Sequence, residues 1–489
     1  MGPELLTVEE MAQADAMAVA AGVPSLALME AAGEGVVREI RKRWTRRSVS
    51  VLVGSGNNGG DGFVIARLLK ALNWPVRVLL LSAAGRLKGD AKQNADLWDG
   101  PVEPFSEFSP EDAALIVDAV FGAGLSRDVS GTVAAALKKA ENSGVPIVAV
   151  DMPSGVDGNT GEVRGHASPA VLTVTFFRKK PGHLLLPGRG LCGEIVVRDI
   201  GIHPDLLKKI SPSNTENGPH VWSAQLSKLD LDTHKYSRGH LLIVGSNEMT
   251  GATRLAAGAA RRVGAGLVSI AAPPARLDIY RSGDPGHLVV ELSDAKSLSQ
   301  ILADERKNCV LIGPGGGVSN RTREYVIRVL KSKRPVVLDA DALTVFENDP
   351  NTLFSHIAES GILSSCILTP HEGEFDRLFD LRGDKLSKCR EAAKISGAVV
   401  LLKGADTVIA DPSGAAAINA NAPASLATAG SGDVLAGIIA GLRTQGMPGI
   451  KAAAAGAWMH GEAGKSAGDH VIAEDLANYL PSLVRLSEK

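Results

Sequence analysis

The stretch Leu426-Ala-Thr-Ala-Gly-Ser-Gly-Asp-Val-Leu-Ala-Gly437 decides how this chain is read. Small residues from Thr428 to Gly432 make a turn that leads directly into Asp433 and an apolar run, the pattern of a helix beginning. Glycines let a backbone approach a ligand closely, and the free N–H groups of a first helical turn attract phosphate oxygens. A carboxylate at the mouth of such a site repels phosphate. Asp433 therefore reads as a base that takes a proton from a hydroxyl about to attack phosphorus. In isolation the same residues would be a capped helix beside a flexible turn, so the surrounding sequence has to decide.

Outward from that stretch, the second half shows an α/β rhythm. Apolar runs at His240–Ser246, Leu267–Ala271, Cys309–Ile312, Val336–Leu338, Ile367–Leu368 and Val399–Leu402 read as strands separated by helical segments. Such spacing means a parallel sheet covered on both faces, with its site at the carboxyl ends of the strands. Directly after strands come Gly313-Pro-Gly-Gly-Gly317, Asp339-Ala-Asp341, Thr369-Pro-His371-Glu-Gly-Glu374 and Lys403-Gly-Ala-Asp-Thr407. Singly, HEGE is a helix start and Lys403 a surface charge; together with the Asp433 turn they outline a nucleotide-phosphate site. Metal binding by His371 and Glu374 lacks partner ligands.

The first half repeats the rhythm without residue-level repetition. Thr7-Val-Glu-Glu10 is a capping box opening a helix to Ala20, and an amphipathic helix follows over Ser25–Trp44. Strands are expected at 49–53, 76–81, 115–120, 147–150 and 171–176, with the loop Gly54-Ser-Gly-Asn-Asn-Gly-Gly-Asp-Gly62 preceding a helix from Phe63 to Leu72. Asn57, Asn58 and Asp61, then Asp118, then Asp151 and Ser154 all fall at strand ends, pointing to one shared ligand site. The amides in this loop, and the absence of an acidic residue ending the next strand, disfavour ordinary NAD-dehydrogenase binding. Ser, Asn, Pro and Gly cluster at 211–219, which marks a linker between domains at 1–215 and 222–489.

Composition sets outer limits. A chain of 489 residues is expected to form two or three domains. A net charge of −2 and 4% aromatics give no reason to expect nucleic acid as a partner. No apolar run approaches the roughly 20 residues of a membrane span. The four cysteines show no CxxC pair, and the start MGPELLTVEE has no leader character. The expectation is a cytoplasmic enzyme with reduced thiols. Residues 5–44 either cover the sheet or form an interface, and a homo-oligomer is expected.

Two resemblances follow from these motifs. GSGNNGGDG, VDAVFGAGLSR and VDMPSGVDG resemble the NAD(P)H-hydrate epimerase family, the N-terminal YjeF-type domain. The resemblance implies a Rossmann-like domain that contacts the hydrated dinucleotide through Asn57, Asn58, Gly59, Gly60, Asp61, Gly122, Ala123, Gly124, Leu125, Ser126, Arg127, Asp128 and Asp151. It also implies a potassium ion on Asn58, Asp118 and Ser154, and an oxygen-only set suits a hard cation. Asp151, at a strand end facing the ligand, is the expected proton-moving group.

Gly430-Ser-Gly-Asp433 resembles the signature of the ribokinase-like superfamily, with serine where that signature has alanine at 431. Within it, LLIVGS, GATRLAA, IGPGGG, VLDADAL, LTPHEGE, LLKGADTVIA and TAGSGD resemble the ADP-dependent NAD(P)H-hydrate dehydratases. This implies nucleotide contacts by Lys403, Gly404, Ala405, Asp406, Thr407 and Gly432, and hydrate contacts by Ala252, Gly315, His371 and Asp433. Magnesium with ADP is expected here. The fold expectation is therefore α/β, two three-layer α/β/α domains, with epimerisation of NAD(P)H hydrate in the first and ADP-driven dehydration in the second. A vitamin-precursor kinase of the hydroxymethylpyrimidine or hydroxyethylthiazole type is the competing reading, and a non-catalytic nucleotide sensor a third.

Overall fold

The structure is a computed structural model that describes residues 2–81, 87–125, 127–361 and 365–487. Two compact units emerge, Met1–Asn214 and Thr215–Lys489.

In the first unit, strands β1 (Val49–Val53), β2 (Val76–Leu80), β3 (Val102–Pro104), β4 (Leu115–Ala119), β5 (Ile147–Val150), β6 (Leu172–Phe176) and β7 (Glu194–Arg198) form one sheet in the order β3-β2-β1-β4-β5-β6-β7, parallel throughout. Strand alternation sends Val51 and Val53 into the core on one face and Leu52 into the core on the other. The helices Val8–Ala20 and Ser25–Arg43 contribute Met11, Ala14, Ala18, Leu28, Val36 and Ile40 to the first of these cores, so they cover the sheet. The capping box at Thr7 and Glu10 forms as the sequence requires. Strand order reverses between β1 and β4. This opens a crevice at their carboxyl ends, the usual ligand position in such sheets.

The second unit orders β8 (His240–Val244), β9 (Leu267–Ala272), β10 (Leu288–Glu291), β11 (Cys309–Ile312), β12 (Val336–Leu338), β13 (Cys366–Leu368), β14 (Val399–Leu402), β15 (Thr407–Ala410) and β16 (Ala416–Asn419) as β16-β15-β14-β13-β12-β11-β8-β9-β10. All pairs are parallel except β14–β15 and β15–β16. Helices Thr250–Arg262, Ser431–Thr444 and Gly449–Ala467 pack one face through an alanine-rich core. Gly437 and Gly441 bring two of these helices into backbone contact: a Cβ at Gly437 would lie 2.6 Å from Ala256 Cα, and one at Gly441 2.7 Å from the Ala260 carbonyl.

Several expectations are corrected. The helix after β1 begins at Asn57, not Phe63, so the Asn-Asn-Gly-Gly-Asp run forms its first turns. Strands β3, β7 and β10 escaped the reading because half-exposed strands lack an apolar run, and β15 and β16 because they add to the sheet as antiparallel neighbours without the intervening helices of the α/β rhythm. The end of the supposed linker belongs to the second unit's core: Trp222 is 1% exposed and lies 5.6 Å from the Trp458 ring, and the Asn217 amide donates to Asn419 Oδ1 and to the Ala454 carbonyl. All four cysteines are buried and unpaired. No helix among the described residues is long and apolar enough to cross a membrane.

Trp222→Ala leaves a cavity the size of an indole in this core and is expected to destabilise the second unit by about 3–5 kcal/mol, measured by urea unfolding.

Candidate active sites

At the switch point of the first sheet lies a cavity of about 670 Å³. Asn57, Asn58 and Asp61 reach it from the first turns of the helix Asn57–Ala71, Gly122, Ala123, Gly124 and Leu125 from the loop after β4, and Asp151 from the end of β5. Gly59 and Gly60 stand behind this lining. A Cβ on Gly59 would meet the Gly54 carbonyl carbon at 2.7 Å and one on Gly60 would meet Met29 Sδ at 2.5 Å, so they let the helix seat against the strand loop and do not form the wall. Arg127 and Asp128 line a separate hollow of about 620 Å³ with Lys88, and Phe121 borders both spaces. Ser126 lies outside the described residues.

Asp151 sits at φ +65°. Its Oδ1 accepts from Lys180 Nζ at 2.5 Å and from Thr175 Oγ1 at 2.9 Å, its Oδ2 accepts from the Ala123 N–H at 2.9 Å, and its carbonyl accepts from His183 Nε2 at 2.8 Å. Burial opposes the charge, but Lys180, itself 2% exposed, holds the carboxyl at about 2. His183 stays neutral: burial and Lys180 push it down to about 4, and its Nδ1 accepts from the Lys180 N–H. The Asp151 carboxylate thus stands as an anion at the strand end, on the cavity wall where it was expected to face the ligand. Two further acids flank it. Burial raises Asp15 to about 6, against the pull of Lys180, and raises Asp61 well above the ordinary carboxyl value. Lys180, Thr175, His183 and Asp15 were missed by the sequence reading. The available signals were a Lys-Pro-Gly-His run just beyond β6 and an acid on the buried stripe of Met11, Ala14 and Ala18.

Behind the cavity wall, Asp118 is 2% exposed. Ser154 donates to it from both its backbone N–H (2.8 Å) and its hydroxyl (2.6 Å), and the Val120 N–H donates at 3.3 Å. Its proton affinity is raised by burial, and no cationic side chain bonds it among the described residues. The buried Asn58 Nδ2 also has no partner there.

In the second unit, Gly430 caps the helix Ser431–Thr444 at φ +85°, where an added Cβ would press on Leu255 Cδ1 at 2.7 Å. Asp433 therefore stands in the first turn, as the motif requires. Asp339, at the end of β12, is 2% exposed; its Oδ1 accepts from Thr369 Oγ1 at 2.8 Å and from Lys403 Nζ at 2.9 Å. Lys403 also lies 3.7 Å from Glu374 Oε2. Burial pulls the Lys403 ammonium down, but Asp339 and Glu374 outweigh it and raise its proton affinity. It is no surface charge. Burial first, then Asp339 and Asp341, raise Asp433 to about 6, with Lys403 opposing.

The other expected contacts divide. Ala252 and Gly315 come together, since a Cβ on Gly315 would lie 3.3 Å from Ala252 Cβ. His371 is exposed and forms a capping box with Glu374: its Nδ1 accepts from the Glu374 N–H while the Glu374 carboxylate accepts from the His371 N–H. Gly404 and Ala405 are exposed at the β14–β15 turn, which Thr407 closes by bonding both the N–H and the carbonyl of Gly404. The Asp406 carboxylate is buried against Lys385 Nζ at 2.7 Å, a lysine the sequence reading passed over. Gly432 stands beside Lys403, where a Cβ would lie 3.7 Å from its Nζ.

Residues 25–182 match the family described as YjeF-related protein N-terminus, and residues 240–484 match the NAD(P)H-hydrate dehydratase family. The chain is 36% identical to the bifunctional NAD(P)H-hydrate repair enzyme of Moorella thermoacetica, over 99% of this chain and 97% of that protein. The chain belongs to this family. The enzyme of the same description from Coxiella burnetii is 34% identical over 97% of this chain and 98% of its own length. Among solved structures, a ribokinase-like superfamily protein of Enterococcus faecalis aligns with a TM-score of 0.50 at 22% identity, covering 57% of this chain and 98% of that one, which concerns the fold alone. In the family's frame the Lys403–Asp339 pair is the feature to test. Lys403→Met strands two buried carboxylates; it is expected to destabilise the second unit by about 3–5 kcal/mol and lower its melting temperature, read by calorimetry.

Proposed function

We propose that the chain restores hydrated NAD(P)H in two steps, epimerising the hydrate in the first unit and dehydrating one epimer in the second with ADP as phosphoryl donor. The observation that carries the second step is Asp433 in the first turn of a helix, beside the buried Lys403–Asp339 pair. Asp433 takes the proton of the hydrate's hydroxyl as that oxygen attacks the terminal phosphorus of ADP. The N–H groups of residues 430–433 and the helix dipole balance the charge on the phosphoryl group in transit, and AMP departs. A hydroxyl is a poor leaving group and a phosphate a good one. Loss of phosphate, with a proton from the adjacent ring carbon, restores the double bond. Ala252, Gly315 and His371 would contact the hydrate, and the 403–407 turn with Gly432 the nucleotide.

No group of three His, Cys, Asp or Glu that could hold a metal occurs among the described residues. Magnesium would then reach the site on the nucleotide phosphates, near Asp339, Asp341 and Asp433, and neutralise phosphate charge when bound. In the first unit, Asn58, Asp118 and Ser154 fit a monovalent cation: the buried Asp118 carboxylate has only neutral donors around it. Potassium bound there would neutralise Asp118 and tie the loops after β4 and β5 together. Asp151 and Lys180 hold the hydrate by charge and hydrogen bonding.

A vitamin-precursor kinase is not favoured, because such an enzyme has no use for the match over residues 25–182.

The test gives purified chain a mixed-epimer NADH hydrate with magnesium and ADP, with ATP in parallel, and follows absorbance at the reduced-nicotinamide band. Full recovery with ADP is expected. Recovery of only the reactive fraction, with spontaneous epimerisation held slow, removes the first activity, and no recovery removes the second.

Asp433 also fixes a pH dependence. Dehydration should fall as pH drops through about 6, where Asp433 takes up its proton. The folded value lies above the ordinary one, so the unfolded chain ionises first and Asp433 costs stability once pH rises past about 4. Asp433→Asn is therefore expected to lower kcat by about a hundredfold or more while raising the melting temperature at pH 8. Steady-state kinetics and calorimetry on one preparation check both.

A further inference from the structure

We propose that Asp15 is a catalytic residue of the first site, moving the proton that epimerisation requires across a cavity walled on another side by Asp61. This rests on the reading of the first unit as the epimerase.

Titratable side chains from separate segments meet in the cavity: Asp15 from the helix Val8–Ala20, Asp61 from the helix Asn57–Ala71, Asp151 after β5 and Lys180 after β6. Asp90 lines the same space. Lys180, Thr175 and the Ala123 N–H occupy the Asp151 carboxylate. The carboxyls of Asp15, half-exposed, and Asp61, 9% exposed, accept no hydrogen bond from any described residue. A carboxyl with no protein partner is open to a ligand that supplies one. These two carboxyls face the ligand space.

The chemistry needs such groups. Water added across the enamine-type double bond of a dihydronicotinamide leaves its hydroxyl on the carbon beside the ring nitrogen. Inverting that carbon begins with a proton passing from the Asp15 carboxyl to the hydroxyl oxygen. The C–O bond then breaks with its electron pair on oxygen, water departs, and the nitrogen lone pair forms a C=N⁺ iminium. Water adds to the opposite face, a new C–O bond forms, and the surplus proton returns to the Asp15 carboxylate. Protons and electrons balance, and no co-reactant is consumed. The fixed Asp151 anion faces the transient cation. Asp15 suits the exchange: with a value of about 6 it can give and take a proton near neutrality, while burial raises Asp61 well above the ordinary carboxyl value on another wall of the cavity.

The experiment uses the full chain without nucleotide, so that the second unit is silent. Starting from the epimer that the second unit leaves untouched, chromatography follows formation of the other. The unaltered chain should interconvert the epimers; if it does not, the reading of the first unit falls and the proposal with it. Asp15→Asn should lower kcat about a hundredfold or more with KM within about threefold, while ADP-dependent dehydration by the same preparation is unchanged. Asp15→Glu should recover part of the rate. Interconversion by Asp15→Asn within about threefold of the unaltered kcat, or a loss confined to KM, would overturn the proposal.

Discussion

Each unit depends on one lysine drawn in against a carboxylate. Lys180 holds Asp151 in the first unit and Lys403 holds Asp339 in the second. Removing both charges from water is expensive, and only close contact with further hydrogen bonds offsets it. Thr175 supplies such a bond to Asp151, and Thr369 supplies one to Asp339. The consequence extends beyond the pairs. Beside each pair stands a further carboxyl that burial makes keep its proton to higher pH. For Asp433 the charge of Asp339 adds to burial, and for Asp15 burial prevails against the pull of Lys180. Groups whose proton affinities are pushed apart in one small space are the raw material of acid and base chemistry.

The scaffold places these groups by simple rules. Parallel strands buried on both faces spend their side chains on packing, so polar residues collect at the carboxyl edge. In the second unit the close contact at Gly437 and Gly441 fixes where the helix Ser431–Thr444 starts, and hence where Asp433 stands. A larger residue at either position would push the helix off its neighbour.

The α/β rhythm, most central strands and the turns carrying Asn58, Asp118, Asp151, Lys403 and Asp433 were legible because each central strand is a near-continuous apolar run ended by polar or glycine residues. Edge strands such as Leu288–Glu291 were not, since half-exposed segments carry no such run. Charge state was the larger gap. Asp151 follows its strand as read, but nothing local reveals that Lys180, some thirty positions later, holds it ionised at 2.5 Å. Asp15 lies on a helix far from any strand end, and its membership in the cavity arises only from packing. The start of the helix at Asn57 was hidden because Asn and Gly are poor helix residues, and no side chain caps it; the close seating of Gly59 against Gly54 and of Gly60 against Met29 overrides their propensity.

The buried cysteines carry a practical consequence. Burial pushes the Cys192, Cys309 and Cys389 thiols up to about 12, so in the folded chain almost none is present as the reactive thiolate. A thiol reagent can label them only when the surrounding structure opens. Cys192 stands in the first unit and Cys309, Cys366 and Cys389 in the second. The chain thus carries an internal clock: labelling rates at these native positions, with no probe introduced, time the opening of each unit separately.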